Sequence, residues 1–395
     1  MNTEPIVIIG GGIIGLNTAI HLKKRGAKNV TVLERHFIGA GQSGRAAGIC
    51  RCLVRDSRVT RWLRYSQEYY LALSDDFGIG EGINQRGYLL LLDSGQESDA
   101  EQTVAAGTAG GGQGIERLSP AKAQELQPGL RCEEETIYLW EQGAIQCDPM
   151  RLTQTLATLA RGSGVEIIQD CQVTDILIEN GRVTGVQANG SYVEAANLFV
   201  ANSTWGQPQL ARYGVDIPVY SHRVEMAFFH VPASGEFTLN CCVSDSRSLL
   251  YLRLEIGNQI FVGWREGDRV KSLDDIDRVD PDNYKQTMNN PALQKMRQNL
   301  SITLPAMKAG YVHRTYACVY DWTDDEMPIL DAADSVKGLY YTLGCSGGGV
   351  SLAPTLGKFM ADFIVDGEKP EDVDTLRLSR FAEGQPFDWH NTARG

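Results

Sequence analysis

Apolar and polar positions change period several times along the chain, and each change marks an element. Ile6 to Ile9 is an unbroken apolar run, the pattern of a strand buried on both faces. A helical period follows from Ile13 to Lys24, Gly26 ends it, and Asn29 to Leu33 reads as a second strand. Trp62, Tyr65, Tyr69 and Leu73 recur at helical spacing within 58–76 and read as core. Residues 85–92 read as a turn plus strand, and 94–115 as a helix and a glycine-rich linker. Ser119 before Pro120 starts a helix, and Asp148 before Pro149 caps another over 149–162. Strands are expected at 165–168, 172–178 and 182–188, the last two joined by the Asn180-Gly181 turn, and again at Asn197 to Val200. From Ile217 the period shortens. Residues 224–229, 248–252 and 259–264 alternate as an antiparallel sheet would. Residues 273–303 look helical and acidic, 338–343 form a strand, and a last helix begins near Ala353-Pro354.

The turn after the first strand changes the picture. Gly10, Gly12 and Gly15 stand as GxGxxG between strand and helix, and Glu34 closes the second strand. Gly10 permits the tight turn, Gly12 lets a pyrophosphate reach the backbone, and Gly15 lets the helix approach the sheet. The N–H groups of Ile13 and Ile14 at the helix start favour phosphate. Glu34 can accept both hydroxyls of an adenosine ribose and would repel a 2′-phosphate, which argues against NADP. A Rossmann-like dinucleotide site follows from this order of elements.

Composition narrows the class. The 395 residues are ample for a large core and suggest two interleaved domains. A net charge of −12 argues against nucleic acid and anionic lipid. No apolar run is long enough to span a membrane and no N-terminal signal is visible, so the cytoplasm is the expected location. The nine cysteines show no metal-binding spacing, and reduced buried thiols are expected, with no metal.

Residues 36–56 are rich in Gly, Ala and Ser and carry Arg45, Arg51 and Arg55. Small residues can lie against a flat ligand, and arginines can grip phosphate or carboxylate. Here the chain resembles the D-amino-acid oxidase/sarcosine oxidase family of FAD-dependent amine oxidoreductases, closest to sarcosine-oxidase-like proteins and the β subunits of sarcosine oxidase and dye-linked proline dehydrogenase. The resemblance implies an α/β fold with an α+β substrate domain: a Rossmann-like FAD domain interleaved with a mostly antiparallel sheet. It implies FAD domain segments 1–85, 145–215 and 325–385, substrate domain segments 86–144 and 216–324, and a tail from 386 to 395. It also implies cofactor contacts from Arg35, Gln42, Ser43, Arg45, Ala46, Ala47, Gly48 and Ile49. Val173 resembles the residue that pairs with adenine, and Ala201, Asn202 and Trp205 the second approach to the phosphates. Arg51 matches an arginine beside the flavin, although its Cys50-Arg51-Cys52 context is unusual.

Residues 314–329 resemble the family's RxWxGxxxxTPDxxPxIG segment, and Cys318 falls on the cysteine that some relatives bond to the flavin. Other relatives have glycine there, so covalent and non-covalent FAD both stay open. Gly344 to Val350 resembles the GFSGHGF loop, whose N–H groups would face flavin N1 and C2=O. Gly344, Gly347, Gly348, Gly349, Val350 and Ser351 would contribute there, with Arg51, Cys318 and Gly348 nearest the chemistry. Gly348 replaces the usual His, Cys345 the usual Phe, and Ser351 a lysine that activates oxygen in one branch. Tyr220, His222, Arg253, Trp264 and Arg265 could face the substrate pocket, with a structural role as the first reading for each. The implied reaction passes hydride from a secondary amine or amino acid (N-methyl, cyclic or D-) to flavin N5, giving an imine. Reoxidation by O2 to H2O2 is the first reading. The alternatives are a dehydrogenase or β-like subunit using a partner or quinone, and a non-redox FAD-binding protein. Oligomeric state stays open.

Overall fold

The computed structural model describes residues 3–77, 82–232, 238–264 and 279–387. Arg265 therefore lies outside the described residues. The described chain divides into two compact units. One takes in the residues up to Ala46, Asp148–His222 and Val319–Phe387; the other takes in Ala47–Cys147 and Arg223–Cys318.

The first unit is built on a six-stranded sheet. Its spatial order is Ile329–Ala332, Leu339–Leu343, Asn197–Val200, Ile6–Ile9, Val30–Leu33 and Glu166–Ile168. All pairs are parallel except that of Ile329–Ala332 with Leu339–Leu343. Ile6 to Ile9 are buried on both faces, which is why the run carries no polar position. The helix Ile13–Lys24 packs on the helix Gly349–Asp366, where a Cβ on Gly357 would come within 2.7 Å of Asn17. Arg25 fastens the same pair through Asp362 at 2.7 Å and Asp366 at 2.6 Å. A three-stranded antiparallel sheet, Val173–Glu179, Arg182–Ala188 and Ser191–Glu194, adds to this core. Arg380, almost fully buried, forks onto Asp325 at 2.7 and 3.0 Å and so ties the last described stretch to the 321–327 turn.

The second unit is built on an eight-stranded sheet, of which only residues 220–222 and 319–322, at the ends of two strands, count with the first unit. Its order is Tyr311–Trp322, Tyr220–His230, Gln259–Trp264, Leu250–Glu255, Cys242–Asp245, Tyr88–Leu92, Ile137–Glu141 and Ile115–Leu118. One face, with Leu252, Val262, Phe229 and Val243, closes a core against Met296 and Leu300 of the helix Asn290–Thr303. A small sheet of Ile49–Cys50, Ile145–Cys147 and Ile83–Gln85 completes the unit.

Three expectations are corrected. The helix expected over 273–303 begins only at Asn290, with 273–278 outside the described residues. Met288, before the helix, already packs into the core, and the extended Asn289 and helix-opening Pro291 set the start. The strand expected from Ser248 starts at Leu250, because Leu249 adopts a left-handed φ of 57°. The last helix starts at Gly349 rather than near Ala353, and Pro354 lies inside it, where only one backbone bond is forfeited near the first turn. Among the described residues no helix is long and apolar enough to cross a membrane.

Candidate functional site

The glycine turn is tight because backbone fills it. Gly10 has φ of 114°, and a Cβ there would sit 2.6 Å from the Ala201 carbonyl oxygen. A Cβ on Gly15 would lie 2.1 Å from the Gly10 carbonyl oxygen. Gly12 precedes the helix in extended conformation and offers no side-chain cap. Ser43 supplies one from thirty positions on, its Oγ accepting the Ile13 N–H at 2.9 Å. Ile14, in the first turn, has no acceptor within its own helix. Glu34 Oε2 accepts the Gly11 N–H at 2.8 Å, and Oε1 the His36 N–H at 2.9 Å.

Other expected residues gather on the same unit. Ala201 bonds through its N–H to the Ile9 oxygen at 2.9 Å, so Ala201 and Asn202 run beside Gly10. Gln42, Ser43 and Arg45 lie in one short 3-10 turn ending at Ala46. The Gln42 side-chain nitrogen is buried with no hydrogen-bond partner among the described residues. The Arg35 guanidinium lies 4.8 Å from the centre of the Trp205 ring. Val173 opens its strand just after Cys171, whose N–H bonds to the Glu34 oxygen at 2.8 Å.

The second glycine loop is shaped by an acid that the sequence reading did not single out. Asp321, buried, accepts the Gly344 N–H at 2.7 Å, and its own carbonyl accepts the Ser346 N–H at 2.8 Å. Burial pushes its carboxyl above the usual carboxylate range, and the Gly344 and Cys345 N–H groups pull it back. Gly344, Ser346 and Gly347 have left-handed φ of 75°, 45° and 84°. Gly348 caps the helix, so Gly349, Val350 and Ser351 form its first turn.

In the second unit, Gly48 turns at φ of 70°, with the Cys147 oxygen 2.2 Å from where a Cβ would stand. Ala47 presents its oxygen to Arg253 Nε at 2.5 Å, and Ile49 enters the small sheet opposite Gln146. Arg51 donates from Nη1 to the Leu53 oxygen and lies 5.3 Å from the centre of the Tyr88 ring. Cys318 is buried, its Sγ 3.9 Å from Met226 Sδ. Cross-strand register puts Met226, Gly263 and Tyr251 in one row, and Phe228, Phe261 and Arg253 in the next. Tyr251 lies so close over Gly263 that a Cβ would meet its ring at 2.2 Å. Arg314 stacks on Phe228 at 4.0 Å, beside Tyr316.

Two substrate candidates do not join this face. Trp264 packs into the core cluster on the other side of the sheet. His222 belongs to the first unit, edge-on to Trp322 at 5.3 Å. Glu141 and Gln67, which organise the Arg51 stretch, were also passed over. The only signals were an acid closing the apolar run IYLWE and an amide inside an aromatic helix.

Three comparisons place the chain among known proteins. It is 28% identical to the sarcosine oxidase subunit beta of Rhizobium meliloti over 96% of this chain and 88% of that one. It is 24% identical to the mitochondrial pyruvate dehydrogenase phosphatase regulatory subunit of Mus musculus, but spans only 43% of that protein's length. Its fold matches the crystal structure of L-proline dehydrogenase from P. horikoshii with a TM-score of 0.87, at 26% identity, over 97% of this chain and 99% of that one. The family model described as FAD dependent oxidoreductase (DAO) matches residues 5–363, so the chain belongs to that family and FAD is its cofactor.

Proposed function

We propose that the chain oxidises a secondary amino acid, N-methyl or cyclic, to the imine. The residues present fit FAD. The Ile14 N–H, left over at the capped helix start, would meet the pyrophosphate, and the buried Gln42 amide, which lacks an acceptor among the described residues, would donate to it. Glu34 has lone pairs left for the ribose beyond the two it uses. Val173 would lie along the adenine, and the first-turn N–H groups of Gly349 to Ser351 would stabilise negative charge on the ring. Bound there, FAD supplies a two-electron acceptor for the substrate's α C–H.

The observation that carries the substrate class is Arg51. Arg253 is consumed by the Ala47 oxygen, the Leu254 oxygen and Glu255. Arg51 makes one hydrogen bond, to Leu53, and keeps Nε and Nη2 unfilled among the described residues. Arg314 also keeps donors but is exposed, whereas Arg51 is half-buried and shielded from bulk water, the better setting for a carboxylate. Tyr251, Tyr316 and Phe228 offer an apolar wall for the nitrogen substituents. Sarcosine and L-proline, in the names of two of the relatives, are secondary amines with one carboxylate.

The test is anaerobic mixing of the pure protein with sarcosine, L-proline and their amides. Bleaching by the acids, but not the amides, is expected; no bleaching by any secondary amino acid overturns the reading. Reoxidation by O2 is the first reading for the electron acceptor, and peroxide release in air checks it. A partner acceptor is the second, favoured by the proline dehydrogenase likeness, and dye reduction without peroxide selects it. A thioether through Cys318 completes the proposal, because its buried thiol lies on the Met226 row. A yellow acid-precipitated pellet, lost in Cys318→Ala, is expected, and a white pellet from the parent protein removes the bond.

A further inference from the structure

We infer that Glu141 is the positioning residue for Arg51. The inference rests on the reading above, in which Arg51 receives the substrate carboxylate. Glu141 ends the strand Ile137–Glu141 and is fully buried. Its Oε2 accepts the Cys52 N–H at 2.6 Å and the Leu53 N–H at 3.1 Å. Its Oε1 accepts Gln67 Nε2 at 2.7 Å. That same Gln67 nitrogen donates to the Cys50 oxygen at 3.1 Å, and Gln67 Oε1 accepts the Cys52 thiol at 3.3 Å. One acid and one amide thus hold the backbone on both sides of Arg51.

A carboxylate is a costly choice for this place. A buried charge is destabilising by several kcal/mol unless polar groups compensate it. Among the described residues no cation forms an ion pair with Glu141, and burial pushes its carboxyl above the usual range. The three N–H donors pull in the opposite direction, and Arg51 adds a favourable field. Three donors converging on two oxygens require a group that accepts at both, which a carboxylate does and an amide does not. Cys52 and Leu53 lie outside any strand or helix, so Glu141 takes the place of a ladder for them. Tyr88, the cross-strand partner of Glu141, carries the ring on which the guanidinium lies. The same strand end therefore fixes both the backbone around Arg51 and the surface its side chain rests on.

The test compares Glu141→Gln, Arg51→Gln and the exchange Glu141→Gln/Gln67→Glu in the FAD-loaded protein. Glu141→Gln sets two NH2 groups against each other. FAD content and kcat are expected to stay within about 3-fold, while KM for the secondary amino acid and the Kd of acetate, read calorimetrically, rise about 10-fold, the worth of one bond to a charged group. Amide hydrogen exchange at Cys52 and Leu53 rises in the same variant, a readout independent of turnover. The exchange restores donor against acceptor at every contact but that to Cys50, and recovers most of the KM. Should Glu141→Gln not accumulate, Gln67→Leu is read in the same way. If Arg51→Gln raises KM and acetate Kd while Glu141→Gln and Gln67→Leu leave them and the exchange unchanged, the inference is overturned and the carboxylate reading stands. If Arg51→Gln changes neither KM nor acetate Kd, the carboxylate reading itself fails and takes the inference with it.

Discussion

The glycine turn at residues 10–15 and the stretch 50–53 around Arg51 are both short, irregular and fully determined, but by opposite means. In the first, backbone packs on backbone: the Gly10 and Ala201 oxygens occupy the space a side chain would need. In the second, the backbone groups are met by side chains from Gln67 and Glu141, distant in sequence. The first kind of constraint tolerates no added atom. The second tolerates change in shape but not in hydrogen-bonding sense.

Substitutions can break this contrast, the most severe first. Gly15→Val forces a branched side chain against the Gly10 oxygen, and complete loss of bound FAD is expected, read from the visible spectrum of purified protein. A yellow Gly15→Val protein would mean that the turn is less rigid than its packing indicates. Glu141→Leu leaves two backbone N–H groups and one of the two Gln67 amide hydrogens buried without acceptors, at about 1–3 kcal/mol each, and denaturant titration should show several kcal/mol lost. Loss of under about 1 kcal/mol would show that water or Gln67 can replace the acid. Acid pH probes the glycine-turn helix separately. Burial, reinforced by Lys24, holds the His21 imidazole at about 4, against 6.5 when unfolded. Below pH 6.5 the unfolded chain takes up a proton that the folded chain refuses, so stability falls as pH drops towards 4, by up to about 3 kcal/mol. The Tm difference between pH 7 and pH 5 should shrink in His21→Leu. The mildest change is Ser43→Ala. It removes one helix cap, worth about 1 kcal/mol, and should lower the Tm of the FAD-loaded protein slightly while its FAD content stays unchanged.

The same contrast explains what could be read from the chain alone. The strand Ile6–Ile9 and the helix Ile13–Lys24 are set by local period and punctuation, and were legible to the residue. The caps at Ser119 and Asp148 follow the same local rule, each side chain accepting the expected N–H. The start of the last helix was misplaced because Pro354 reads as a boundary, whereas Gly348 and the loop before it make the true one. Asp321 and Glu141 stayed hidden because a buried acid is identified by its donors, and those come from Gly344, Cys52 and Leu53. Trp264 packs into the core, in keeping with the structural role that was its first reading; the pocket stayed open as an alternative because alternation gives the two faces of a strand without saying which one meets the core.

Arg380 also bears on handling of the protein. Its fork on Asp325 secures the turn that continues from Asp321, the acid holding Gly344. A protease nick that frees Arg380 would leave the buried Asp325 carboxylate without its cation, held by the Met327 N–H, and the slack would pass along that turn to the second glycine loop. Ageing preparations should thus lose substrate-dependent bleaching in step with clipping of the carboxyl end, long before the bulk of the protein precipitates.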